Sequence, residues 1–299
     1  MKSDIVKIQP ARFSVSLLGG EMAGWRWVNK QAPPLLFCHA TGFCASAYKQ
    51  MLQHLAGTFD IYALDMRGHG KTSLPADPAR LRSWNVYADD IAAFLDMQHR
   101  DGWTIAGHSM GGVTAAIAAR GRSDIASLRL IEPVMMPTLI TLAAHMPFWN
   151  RFSRHIPIVK GAVKRRSTWE NRDQVLKSYG RKALFSPWTD GILGDYLEDG
   201  LKPAENTPKN DKGAVLLACD PQWEAATFAA HANDFWGALK GACVPIALLA
   251  ANPSASTISK RARLRCKRLG VGVRELAGLT HLAPMIDPAQ CAEFIARDT

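Results

Sequence analysis

Short apolar runs and stretches of helical period alternate along most of this chain. Residues 12–18 and 21–28 alternate apolar and polar positions around Gly19-Gly20, the pattern of an opening hairpin. Apolar runs at 34–38, 61–64, 103–106, 128–131, 245–250 and 271–276 read as buried strands. Between them, 48–55, 86–97, 113–119, 221–240, 257–269 and 288–296 read as helices. In 86–97 the apolar Ile91, Phe94 and Leu95 recur at helical spacing behind acidic first turns. Strand and helix in alternation predict an α/β chain with a mostly parallel sheet flanked by helices. The alternation breaks from 134 to 213, where Pro, Trp and basic residues gather around short helical stretches. This segment reads as an inserted lid, giving a core of residues 1–133 and 214–299 and a lid of 134–213.

Composition narrows the class. With 299 residues, 47% hydrophobic and 21% charged, the chain can bury a sizeable core. No apolar run reaches the roughly 18–20 residues of a membrane span. The first ten residues lack the apolar region and small-residue cleavage site of a secretory signal. Six scattered cysteines without a C-x-x-C suggest free thiols in a reducing, cytoplasmic setting. The net charge of +10 is concentrated: residues 151–182 hold ten Lys or Arg against Glu170 and Asp173, a local +8. A second basic cluster lies in the helix at 257–269. Both read first as solvated basic faces, and otherwise as attraction for an anionic substrate or surface. No nucleic-acid module surrounds them, so no nucleic-acid partner is expected. A membrane partner is not the expected reading either, with peripheral attachment to an anionic membrane through Arg151–Lys182 as a third alternative.

The candidate chemistry centres on Gly107-His108-Ser109-Met110-Gly111, a G-x-S-x-G between an apolar strand and an alanine-rich helix. This order marks a sharp strand-to-helix turn that raises a serine, with glycines where side chains would clash. Serine needs a general base and an oxyanion site to act as a nucleophile. Of nine histidines, His281 is best placed, because its loop follows the last strand and leaves the same sheet edge.

Five features in order resemble the α/β-hydrolase superfamily: His39-Ala40-Thr41-Gly42-Phe43, Asp65-Met66-Arg67-Gly68-His69-Gly70, the elbow at 107–112, Glu132-Pro133 and His281. The resemblance implies Ser109 as nucleophile and His281 as base. The acid departs from the commoner pattern, since residues 250–256 after the penultimate strand contain no carboxylate. Glu132, 23 residues beyond Ser109, is therefore the expected acid, as in branches such as zearalenone-type lactonases, with Asp220 in reserve. The oxyanion donors implied are the amides of Met110 and Thr41, with Phe43 as the alternative to Thr41. Phe43 and the lid's Trp149, Trp169 and Trp188 are candidates to line an apolar substrate pocket. Asp65 and Arg67 read as structural.

The expected function is a serine hydrolase cleaving a carboxylic ester or lactone through an acyl-enzyme, with no cofactor and no metal. Carbon–carbon or thioester hydrolysis on the same residues is the alternative, and a ligand-binding protein on a hydrolase scaffold is the alternative of another class. The basic segment points to an anionic group on a small-molecule substrate, and the lid aromatics to an apolar one.

Overall fold

The computed structural model describes residues 8–17, 19–204 and 213–297. Eleven strands are assigned among them. Six form most of the core: β1 (Ala11–Leu17), β2 (Gly20–Trp27), β3 (Pro34–Cys38), β4 (Asp60–Leu64), β5 (Trp103–His108) and β6 (Ile125–Ile131). Three short ones, β7 (Thr168–Trp169), β8 (Leu201–Pro203) and β9 (Val215–Leu217), stand apart. The core closes with β10 (Ile246–Ala250) and β11 (Gly272–Glu275). The main sheet has the order β1-β2-β4-β3-β5-β6-β10-β11. The pairings from β4 through β11 are parallel, while β1 and β2 join antiparallel. The hairpin is present as expected, although Leu18 lies outside the described residues.

The central strands are mostly apolar because helices cover both faces of the sheet, with Asp60, Thr104, His108, Ser127 and Arg129 as their buried polar members. In β3, Leu35 and Phe37 enter one core cluster and Leu36 and Cys38 the other, the period of two that a pleated strand imposes. One face packs the helices Asn85–Gln98, Met110–Ala118 and Phe235–Gly241. The other packs Lys49–Gln53 and Pro288–Ala296. Asn85–Gln98 buries Tyr87, Ala88, Ile91, Phe94 and Leu95, one stripe of an amphipathic helix, and ends at His99 in the left-handed region. Asp65 and Arg67 serve the turn after β4. Asp65 accepts from the amides of Ala45 and Lys71, and Arg67 makes a two-point pair with Asp90.

Two expectations change. The helix at 221–240 is two helices, Pro221–Ala229 and Phe235–Gly241, because the backbone leaves helical geometry at Ala230 and Asp234 starts the second by accepting from Gly237 N–H. Asp220 caps the first by accepting from Gln222 N–H. Between β6 and β10 the chain leaves the main sheet for five helices, Thr138–Ala144, Trp149–Ser153, Pro157–Val163, Arg172–Gly180 and Ile192–Asp199, and for a second sheet of order β7-β9-β8. This sheet draws in Val215–Leu217, past residue 213, and strands of two or three residues carry too few side chains to show a period.

Candidate functional site

Ser109 follows β5 directly. Its backbone sits at φ 55° and ψ −115°, and its amide donates to Ile131 O at 3.0 Å. The helix Met110–Ala118 begins at the next residue, so its first amides point at the turn without intrahelical partners. Such a turn needs the helix tight against β3. A Cβ on Gly111 would lie 2.1 Å from Cys38 O, so only glycine fits there. Glu132 ends the neighbouring β6 at φ 46°, with its amide bonded to Leu249 O. Among the described residues only His99, Ser109 and Glu132 combine a side chain with positive φ. Two of the three meet here, and such backbone strain concentrates at functional sites.

His281 comes from the loop after β11. Its Nε2 is 3.1 Å from Ser109 Oγ and its Nδ1 is 3.1 Å from Glu132 Oε2. An ionised carboxylate only accepts, so the proton sits on Nδ1 and Nε2 accepts from the serine hydroxyl. The loop is tied down by His108, whose Nε2–H donates to the His281 carbonyl at 2.8 Å. The other nitrogen of His108 accepts from Tyr48 O–H at 2.7 Å. Burial, then the nearby His281, lowers His108 to about 3, so it stays neutral.

Glu132 is fully buried, and its carboxylate accepts from Ala251 N–H, Ser256 O–H, Thr257 N–H, Thr257 O–H and His281. Burial opposes its ionisation most strongly, but these hydrogen bonds, His281's first, outweigh that and hold it at about 2. The donors come from 251–257, the stretch where the commoner pattern would place the acid itself. Because the folded value lies below the ordinary glutamate value of 4.5, the stabilisation is complete above that value and is lost as pH falls through about 2. Glu132→Gln cannot titrate. The stability gap between wild type and this variant should therefore narrow by up to about 3 kcal/mol as pH is lowered from about 7 towards about 2, measured by urea unfolding. A pH-independent gap would contradict the ionised, hydrogen-bonded state.

Ser109 and His281 edge a cavity of about 430 Å³, while Glu132 lies behind His281 and outside its lining. Phe43 and Trp188 line it, stacked at 5.8 Å, beside Phe185. Trp149 and Trp169 do not. Trp149 turns its Nε1–H to Ala229 O at 2.8 Å, and Trp169 is buried edge-on against Tyr179, so both pack the excursion instead. Asp220 is absent from the lining, held by its capping role.

The loop after β3 presents three successive amides with different partners. Gly42 N–H donates to His69 Nε2 at 3.0 Å and Phe43 N–H to Ala40 O at 3.1 Å. Thr41 N–H has no partner among the described residues. His69, lowered to about 4 chiefly by burial, is the neutral acceptor this turn requires.

Sequence reasoning missed a buried hub on the far wall. Arg165 donates to both oxygens of Glu224 at 2.9 Å, to Tyr179 Oη at 3.0 Å and to Tyr196 Oη at 2.9 Å. Tyr196 O–H in turn donates to Gly42 O at 3.1 Å, so the excursion is tied to the loop at 41–43. Arg165 and Glu224 are 59 positions apart, and no spacing or motif signals the pair. Among the described residues no group of three or more His, Cys, Asp or Glu side chains is arranged to hold a metal ion.

A sequence model described as the alpha/beta hydrolase family matches residues 35–294. The 3-oxoadipate enol-lactonase 2 of Acinetobacter baylyi is 21% identical over 262 residues, 86% of this chain and 84% of its own length. Among solved structures, that of E-2-(acetamidomethylene)succinate hydrolase superposes with a TM-score of 0.74 at 19% identity, covering 96% of this chain and 98% of that one. The thioesterase domain from the curacin biosynthetic pathway superposes with a TM-score of 0.74 at 16% identity, covering 97% of this chain and 100% of that one.

Proposed function

This chain belongs to the alpha/beta hydrolase family and is a hydrolytic enzyme acting on a small molecule, and from that premise we propose that it cleaves a carboxylic ester or lactone through an acyl-enzyme on Ser109, His281 and Glu132. The observation that carries the proposal is the continuous relay Ser109 Oγ, His281, Glu132, with Ser109 and His281 at the edge of a cavity walled by Phe43, Phe185 and Trp188. Ser109 Oγ attacks the substrate carbonyl while His281 Nε2 takes its proton. Glu132 stabilises the imidazolium that forms. The resulting oxyanion accepts from Met110 N–H and from Thr41 N–H. Collapse expels the alcohol, which takes the proton from His281, and leaves an acyl-serine. Water then attacks the acyl carbon with His281 as base, releasing the acid and restoring Ser109. For a lactone the alcohol and acid are the two ends of one product.

Thr41 is favoured over Phe43 as the second donor because Phe43 N–H is already spent on Ala40 O. Its position depends on Gly42. There φ is +77°, and a Cβ would lie 2.4 Å from Glu224 Oε1. Gly42→Ala should therefore lower kcat by about 10²-fold, the cost of one oxyanion donor, with a smaller change in KM. Steady-state kinetics on a soluble ester check this, and an unchanged kcat would remove Thr41 from the mechanism.

A small acyl group or ring fits the aromatic wall of Phe43, Phe185 and Trp188, and an anionic substituent suits Lys182, which has no carboxylate partner among the described residues. The lactone option draws support from the enol-lactonase relative. The test is a panel of aryl esters, lactones, thioesters and β-diketones, with fluorophosphonate labelling of the wild type alongside. Turnover of esters or lactones with labelling at Ser109 is expected. Turnover confined to β-diketones or thioesters would replace the bond assignment, and absence of both labelling and turnover would overturn the enzyme reading of this site.

A further inference from the structure

The excursion carries an outer face that the catalytic site does not use. From Val134 to Trp169 the sequence has no Asp or Glu and six Lys or Arg. Arg165 is committed to Glu224, and Arg166 bonds Gln174 and the Thr168 carbonyl. The other four, Arg151, Arg154, Lys160 and Lys164, are exposed and have no carboxylate within ion-pair distance among the described residues. Large apolar side chains stand out among them. Of the helix Thr138–Ala144 only Ala144 is buried, while Leu139 and Leu142 are 79% and 60% exposed. Phe148 and Phe152, paired edge-on at 6.0 Å, are 54% and 63% exposed. The next helix exposes Ile158, which also reaches the mouth of the catalytic cavity. Arg154, Lys160 and Lys164 also edge a groove between the second and third helices and the core residues Leu81, Arg82 and Gln222.

Scattered exposed apolar residues are ordinary, but a run of them on consecutive helices marks a contact surface. We propose that this face docks on an anionic lipid surface, with Leu139, Leu142, Phe148 and Phe152 entering the acyl region and the four unpaired cations at the level of the headgroups. Lipid is the occupant that supplies both partners the face lacks, apolar volume and negative charge. A second copy does not fit. A two-fold contact would bring the same patch onto itself and oppose four cations with four cations, with no acid in 134–169 to offset them. Charge counting along the sequence reads the basic segment first as a solvated face, and it cannot say which apolar side chains face outward. No helix of the described residues is long and apolar enough to cross a membrane, so the contact is peripheral. Docking there sets the cavity mouth, through Ile158, at the lipid surface.

The experiment is flotation of the full chain with vesicles of phosphatidylcholine alone and of an equimolar mixture with phosphatidylglycerol. Binding to the anionic vesicles should exceed that to the neutral ones by at least about ten-fold. It should collapse as ionic strength rises from about 0.01 M to about 1 M, because the Debye length falls from about 30 Å to about 3 Å. Two variants separate the contributions: Leu142→Asp with Phe152→Asp, and Arg151→Ser with Arg154→Ser. Both should lose at least about ten-fold in bound fraction. Fluorophosphonate labelling and the melting temperature of both should stay at wild-type values, which shows that they fold. Ser109→Ala should bind vesicles like the wild type, so docking stands or falls separately from the reaction. Equal binding to neutral and anionic vesicles, or unchanged binding by the folded variants, overturns the proposal. So does a wild-type dimer in sedimentation equilibrium that Leu142→Asp with Phe152→Asp converts to monomer, because the face would then belong to a second copy.

Discussion

Ser109→Ala should lose about 10⁶-fold in kcat while KM and the melting temperature stay near those of the wild type. The hydroxyl is the only group of Ser109 within reach of His281 Nε2, at 3.1 Å, and a methyl in its place can neither attack nor hand over a proton. What survives is the cavity and the two proposed amide donors; an oxyanion hole and binding alone sustain roughly 10³–10⁴-fold catalysis over water. Stability changes little because alanine inherits the same strained φ of 55° and the residue makes few other contacts through its oxygen. Single-turnover kinetics and fluorophosphonate labelling read the effect directly. A fall smaller than about 10²-fold, or labelling equal to that of the wild type, would place the nucleophile elsewhere.

Glu132→Gln should cost about 10⁴-fold in kcat with the fold retained at neutral pH. Five donors converge on the carboxylate, and an amide has one oxygen with which to receive them. If that oxygen turns to Ala251 and Ser256, the NH₂ faces His281 Nδ1 and donates to it. The imidazole proton then moves to Nε2, the nitrogen that must be free to accept from Ser109. Substrate binding is untouched, so the loss falls on kcat rather than KM. Asp220→Asn, the matching control, should stay within about two-fold, because asparagine caps a helix as well as aspartate does. The opposite pairing of results would move the acid from Glu132 to Asp220.

The elements that carry these residues were legible because each is a covalent pattern. The elbow announces itself through Gly107 and Gly111, positions where geometry leaves no room for a side chain. Glu132 is the acid that the resemblance implies, and the segment at 251–257, which lacks a carboxylate of its own, donates hydrogen bonds to it. The main sheet was legible because strands buried on both faces read as largely apolar runs. What escaped was whatever depends on neighbours far along the chain. Trp149, Trp169 and Trp188 are equivalent as sequence, yet only Trp188 faces the cavity. The Arg165–Glu224 pair joins two excursion and core segments with no shared motif. The direction of Leu142 and Phe152, outward, is set by helices too short to show a reliable period.

The separation of the three site residues also bears on the order in which the protein becomes active. Ser109 and Glu132 lie 172 and 149 positions before His281. Contacts of such range form only after long loops close, so recovered activity during refolding reports the docking of β11 and the loop beyond it, not the earlier growth of helices. On the ribosome the same spacing acts as a delay. At synthesis rates of about 5–20 residues per second, roughly 7 to 30 s pass between the appearance of Glu132 and that of His281. Throughout that interval the nascent chain holds the proposed nucleophile and acid but not the proposed base, so on that reading it is chemically silent until His281 is made.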